Sequence, residues 1–534
     1  MELATREQIP EEFTWNLKDM YENNELWEQD IENVTKGLEQ LAQYEGVVCE
    51  NASNLLNTLE LSAKLSEKFM YAFSYAARLF DENQGNTTHQ AMSQRMYAMY
   101  ANIAAATAFI DPEILACDTN TLESFFEDEP GLELYRLQIK EMVRLKEHTL
   151  SSELEKVVAM TSEMSSTPDE VYSAFTNVDM VFPTIVDENG EEVRITQGRF
   201  VRLLESTDRR VRKETFEKFY AVFKQNLNTL AAAYNGEVKQ HIFHSKVRGY
   251  ASNLEAAVDA NNVSPEVYQN LIDAVHENMD KFHHYVALRK KCLGLDEMHM
   301  YDIYTPMIPG VAKKISYDEA KETCLKALEI LGDDYVSIAR EAFENRWIDV
   351  YENQGKRTGA YSSTAYGCHP YMLLNYNDSL DDMFTVIHEM GHSIHSYYSN
   401  QAQPYIYSDY KIFVAEVAST CNEILLLEYL LKKCNDKKEH AYLLNHYLDL
   451  ETEIILNNGG DIDKFVGDEM MAFFAGPKKE YNACKAAMEI RAAMRVEQQK
   501  AKNEGDSFIS IGIGINTGRV VFGPVGSKTR MDFT

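Results

Sequence analysis

The stretch FTVIHEMGHSIHSYYSN, Phe384 to Asn400, constrains this chain more than any other. It holds His388, Glu389 and His392 in the spacing H-E-x-x-H. On a helix, positions i and i+4 lie one turn apart on the same face, so His388 and His392 can present two imidazoles to one ion. Glu389 sits about 100° around from His388 and can reach a water at that ion as general base without ligating it. The competing reading is a surface helix that happens to carry these residues. Against it, Phe384, Val386 and Ile387 precede the motif and Ile394 and Tyr398 follow, so the helix is expected to be largely buried. A charged cluster in a buried helix needs partners. A metal ion is the partner that fits, and histidine with carboxylate suits zinc.

Two histidines leave a third ligand to be found. The pattern that continues with Gly and then His would need them at the positions of His395 and Tyr398, and it is absent. His395 lies close by, but it reads as a polar residue on the helix flank. The remaining source is a carboxylate on a later helix. YKIFVAEVASTCNEILLLEYLL, Tyr410 to Leu431, reads as that helix, with apolar residues throughout and no Gly or Pro. Glu416 and Glu423 are seven apart and share a face two turns apart. Two acids on one face of an apolar helix read as one ligand and one carboxylate that holds a histidine.

The composition narrows the setting. A chain of 534 residues exceeds one hydrophobic core and implies two or more domains. No apolar run is long enough to span a membrane, and MELATREQIPEEF is too polar and acidic for a secretory leader. The eight cysteines are scattered with no C-x-x-C, which fits a reducing compartment and a cytoplasmic location. A net charge of −32 argues against nucleic acid as a partner. Long apolar periodicity over Leu55–Phe80 and Gln90–Phe109 predicts helices, and VFPTIVDENGEEVRIT, Val181–Thr196, predicts a hairpin turning at Asn189-Gly190.

HEMGHSIHSYYS followed by FVAEVASTCNE resembles the M3 peptidases, most closely the oligoendopeptidase F group. IPEEFTWNLKDMYENNELWEQDI, LDEMHMYDIYTPMIP and GAYSSTAYGCHPYMLLNYNDSLDDMFTVIHEMGHS carry the same resemblance, which covers roughly residues 1–450. It implies one zinc per chain, held by His388, His392 and Glu416, with Glu389 as base and Glu423 behind a histidine. It also implies a mainly helical fold, a small β element near the site, and a deep channel that admits short peptides. HPYMLLNYN, His369–Asn377, would be a strand at the channel edge that pairs with the substrate backbone.

From about Leu450 the chain changes character. Residues 1–450 carry a net charge of −31 and residues 451–534 a net of −1. The last 84 residues hold 10 of the 25 glycines and none of the histidines. GGDIDKFVGDEMMAFF reads as strand, turn at Gly467-Asp468, strand; Lys479–Asn503 reads as a helix; SFISIGIGINTGRVVFG reads as a second hairpin. GGDIDKFVGDEMMAFF and GINTGRVVFGPVGSKTRMDFT resemble part of the catalytic domain of class III nucleotidyl cyclases. That resemblance implies Asp468 as a metal-binding aspartate, and Lys464 with Asp532 or Thr534 as the pair that reads adenine. The family's partner aspartate would fall near Cys421–Leu425, where no matching pattern stands, and its Asn and Arg would lie beyond Thr534.

The expectation is therefore a mainly α protein in three regions. These are an N-terminal helical region over 1–180, a peptidase catalytic region over 181–450 and a partial cyclase-like α/β unit over 451–534. Its expected function is zinc-dependent endopeptidase action on oligopeptides, impaired by the loss of the family's later helices. The alternatives are a nucleotide-binding, cyclase-derived module, or an inactive fusion that binds zinc and peptide. No membrane partner is expected, and the tail could pair with another chain.

Overall fold

A computed structural model describes residues 3–307, 314–434, 438 and 443, and four strands over 460–466, 469–474, 524–527 and 530–533. The described chain is mainly helical and divides into two compact units. The first comprises residues 1–265 and 292–439 and contains the H-E-x-x-H motif.

Three long helices open the first unit: α1 (Asn24–Leu41), α2 (Ala52–Glu82) and α3 (Thr87–Thr107). Each starts on an asparagine whose side chain accepts backbone N–H groups of the first turn, which satisfies donors that the helix cannot. Helical spacing places Trp27, Ile31, Val34 and Leu41 on the buried stripe of α1. The expected helix over Leu55–Phe80 lies wholly inside α2. The expected Gln90–Phe109 helix corresponds to α3, which starts one turn earlier at its Asn86 cap.

The hairpin falls where the sequence places it. Strands β1 (Thr184–Val186) and β2 (Glu192–Arg194) pair antiparallel. Its loop is wider than a two-residue turn. Asp187 Oδ1 accepts the backbone N–H groups of Asn189 and Glu191, and Gly190 takes a left-handed φ of 83°. Ile185 and Ile195 pack with Phe182, Leu203, Val211 and Phe219, residues of the hairpin and of helices α4 (Gln197–Leu204) and α5 (Arg209–Gln225).

Helices α6 (Tyr317–Leu328) and α7 (Asp333–Glu344) lead into a three-stranded sheet. Its strands are β3 (Ile348–Tyr351), β4 (Tyr361–Ser363) and β5 (Tyr371–Tyr376), in the order β3-β5-β4. β5 runs parallel to β3 and antiparallel to β4. His369–Asn377, expected as a strand at the channel edge, forms the middle strand of this sheet. β5 is the central strand, paired with β3 on one side and, over Tyr371–Leu373, with β4 on the other, and its Tyr371, Met372, Leu373, Leu374 and Tyr376 are buried. An almost continuous apolar run is what a strand covered on both faces requires.

The N-terminal helices and this sheet share one core. Trp15, Trp27, Phe69, Ala76 and Met96 cluster with Tyr371 and Leu373 of β5. A buried ionic group reinforces the joint: Asp349 of β3 pairs with Lys356 at 2.7 Å and with Arg6, while Arg6 also pairs with Glu82 of α2 at 2.9 Å. Charges this deep are tolerable only because each meets a partner. The unit then ends in two long helices, α8 (Leu380–Ala402) and α9 (Ile412–Lys433).

The second unit comprises residues 266–291 and 440–534. Its described parts include helical segments within Pro265–Glu277 and Met279–Cys292 and the antiparallel pairs β6 (Gly460–Val466) with β7 (Glu469–Phe474) and β8 (Pro524–Ser527) with β9 (Arg530–Phe533). The first pair matches the hairpin expected around GGDIDKFVGDEMMAFF. Lys464 falls in β6 and Asp532 in β9. Asp468, Thr534, the helix expected over 479–503 and the hairpin expected over 507–523 lie outside the described residues. Among the described residues no helix is long and apolar enough to cross a membrane, and the cysteines are all free.

Candidate metal centre

α8 and α9 carry the candidate site, and their packing fixes its geometry. α8 begins at Ser379, whose hydroxyl accepts the Asp382 N–H at 3.0 Å while Asp382 Oδ2 accepts the N–H groups of Ser379 and Asn377. Its buried face carries Met383, Phe384, Val386, Ile387, Met390 and Ile394. α9 crosses that helix very closely at Gly391: a Cβ there would lie 2.6 Å from Ser419 Cα and 2.7 Å from the Ala418 carbonyl oxygen. Asn422, buried on α9, donates from Nδ2 to the Ile387 carbonyl at 3.2 Å and accepts from the Tyr335 hydroxyl of α7 at 3.0 Å.

Within this frame three ligand-type atoms converge. His388 Nε2 and His392 Nε2 are 3.1 Å apart, and Glu416 Oε2 lies 3.4 Å from the first and 3.3 Å from the second. Ligand atoms about 2.0–2.1 Å from a tetrahedral zinc ion lie about 3.3–3.4 Å from one another, so this donor set fits such an ion. Glu423 stands on the other side of His388, where its Oε1 bonds the imidazole Nδ1. A hydrogen on Nδ1 leaves the Nε2 lone pair facing the site.

The charges follow from burial and neighbours. Burial alone would lower the His388 imidazole, but the bond to Glu423 and the surrounding carboxylates hold it above its ordinary value. Burial lowers His392, which the Glu416 charge only partly offsets. Glu389 is 7% exposed, and its burial pushes the carboxyl up to about 7; the adjacent His388 and the Ser362 backbone N–H of β4 pull the other way. Ser362 is held in turn by a 2.7 Å bond between its hydroxyl and that of Ser393 on α8.

His395 stays outside the group. Its ring stacks on Tyr410 at 3.8 Å, and its Nδ1 is buried without a hydrogen-bond partner. Three contributors escaped the sequence reading: Gly391, Ser419 and the Ser362 amide. Ser419 had a visible signal, since it lies three residues after Glu416 on the same helical face. The Ser362 amide had none, because it comes from a strand that is brought in by tertiary packing. The expected cyclase partner position, Cys421–Leu425, lies inside helix α9.

Known proteins resemble this chain in sequence and in fold. The sequence profile of Peptidase family M3 matches residues 202–458, and that of Oligopeptidase F matches residues 113–182. The chain is 41% identical over 448 residues to Oligopeptidase PepF of Bacillus subtilis, covering 84% of this chain and 67% of that one. It is 37% identical over 444 residues to Group B oligopeptidase PepB of Streptococcus agalactiae, covering 83% of this chain and 74% of that one. In fold it resembles the crystal structure of oligoendopeptidase-F from Enterococcus faecium, with a TM-score of 0.62 and 34% identity over 82% of this chain and 72% of that one.

Proposed function

The chain belongs to the oligoendopeptidase F group of peptidase family M3, a family of metalloendopeptidases, and on that footing we propose that it cleaves short peptides at a single zinc held by His388, His392 and Glu416. The observation that carries this reading is the convergence of two imidazole nitrogens and one carboxylate oxygen beside a buried glutamate. Bound zinc would supply a Lewis acid for the scissile carbonyl and would acidify water.

The protein's own groups divide the remaining tasks. Glu389 takes the proton of the attacking water and returns it to the leaving amine. Its burial supports this role, since a carboxyl raised toward neutrality both accepts and releases a proton readily. Glu423 orients His388 through Nδ1. β4 lies at the edge of the sheet, with its Ser362 amide against Glu389, so we assign the backbone pairing with substrate to it rather than to the central β5. The scattered free cysteines fit a cytoplasmic setting.

The test is hydrolysis of a quenched fluorescent oligopeptide by the protein and by Glu389→Gln, with zinc content measured on both. The variant should keep its zinc and lose about 10²- to 10⁴-fold in rate. A variant that cleaves as fast as the parent would remove Glu389 from the reaction.

A further inference from the structure

We infer that Ser419 is the positioning residue for Glu416: its hydroxyl fixes the carboxylate oxygen that faces both imidazoles. This rests on the reading of Glu416 as a metal ligand. The three ligand side chains are held unequally. His388 is 28% exposed and His392 16% exposed, and both stand on a helix packed into the core. His388 is also bonded by Glu423. Glu416 is 62% exposed, so packing does little to choose its rotamer. A glutamate free in solvent samples many rotamers, and ordering it on metal binding has an entropic cost.

The geometry supplies the missing restraint. Ser419 Oγ donates to Glu416 Oε2 at 2.8 Å, and that oxygen is the one that lies 3.3 and 3.4 Å from the imidazole nitrogens. The hydroxyl has one hydrogen and a second acceptor, the Glu416 backbone carbonyl at 3.0 Å. The carboxylate oxygen is closer and charged, and charge-assisted bonds are the stronger ones. Ser419 itself cannot wander, because it is fully buried and its backbone lies against Gly391, within the H-E-x-x-H motif. The same contact that brings the two helices together thus sets the donor that aims the third ligand.

The experiment measures zinc affinity of the full chain by competition with a chelating dye, together with the unfolding midpoint of each metal-free protein. Ser419→Ala should bind zinc about 10- to 100-fold more weakly, as loss of an outer hydrogen bond to a ligand does, with its metal-free midpoint close to the parent's. Ser419→Cys, nearly the same size but a poor donor, should show a smaller loss and keeps the test open if the alanine variant does not fold. Parental affinity in both serine variants, with Glu416→Ala defective, would overturn the inference alone. A fall in affinity matched by a fall in the metal-free midpoint would assign Ser419 to packing and overturn it too. Parental affinity in Glu416→Ala would remove the ligand reading and this inference with it.

Discussion

Gly391 and Ser419 meet at the closest point of the two site helices: a Cβ on Gly391 would come within 2.6 Å of Ser419 Cα. The obstructing atoms are backbone, so no side-chain rotation relieves the clash. Gly391→Ala should gain about 1 kcal/mol in helix propensity and lose about 1–3 kcal/mol or more to overpacking. It should also spread His388 and His392 from Glu416. A lower unfolding midpoint and reduced zinc content are expected. A variant that keeps both would show that the helices can part without cost.

The two carboxylates of α9 should differ in kind. Glu416→Ala removes a converging ligand atom and should abolish stoichiometric zinc binding. Glu423→Ala removes only the partner of His388 Nδ1 and should weaken zinc by about 10- to 100-fold while leaving one ion per chain at saturation. Metal analysis after dialysis checks this. Full occupancy in Glu416→Ala beside an empty Glu423→Ala would exchange the two roles.

Stability should depend on pH through Glu205. Burial, and then the nearby Asp381 and Asp382, raise its carboxyl from 4.5 to about 7. The unfolded chain releases this proton first, so the fold is favoured by this group below about 4.5 and loses that contribution as pH rises through 7. Glu205→Gln should therefore be more stable than the parent at pH 8, by up to about 3 kcal/mol, and gain little at pH 5. Denaturant unfolding at the two pH values tests the sign. An advantage larger at pH 5 would refute it.

The C-terminal region should not convert ATP to cyclic AMP. The position where a cyclase's second metal aspartate would stand lies within α9, a helix of the first unit. On the expected resemblance Asp468 alone would be left to hold a metal pair, too few carboxylates for such a reaction. Incubation with ATP and manganese, followed by product detection, decides this. Cyclic AMP that disappears in Asp468→Ala would establish a working cyclase.

The sequence alone determined that Phe384–Asn400 is a helix with two imidazoles on one face and that a second apolar helix carries two acids in register. Both follow from a 3.6-residue period, which is a local property of the chain. It also placed the hairpin, because Asn-Gly between alternating residues is a local signal. The helical period left open which carboxylate faces Nε2 and which faces Nδ1 of His388; the family resemblance implied the assignment, and the tertiary structure is what produces the contacts. That depends on where α9 crosses α8, and the crossing is set by backbone contact at Gly391. It likewise decided that β5 is central, since an apolar run reads the same at an edge or in the middle and its neighbours come from elsewhere in the chain. The raised carboxyl of Glu389 belongs to the same class. It arises from burial among segments far apart in sequence, and no spacing within the motif encodes how much water is left around it.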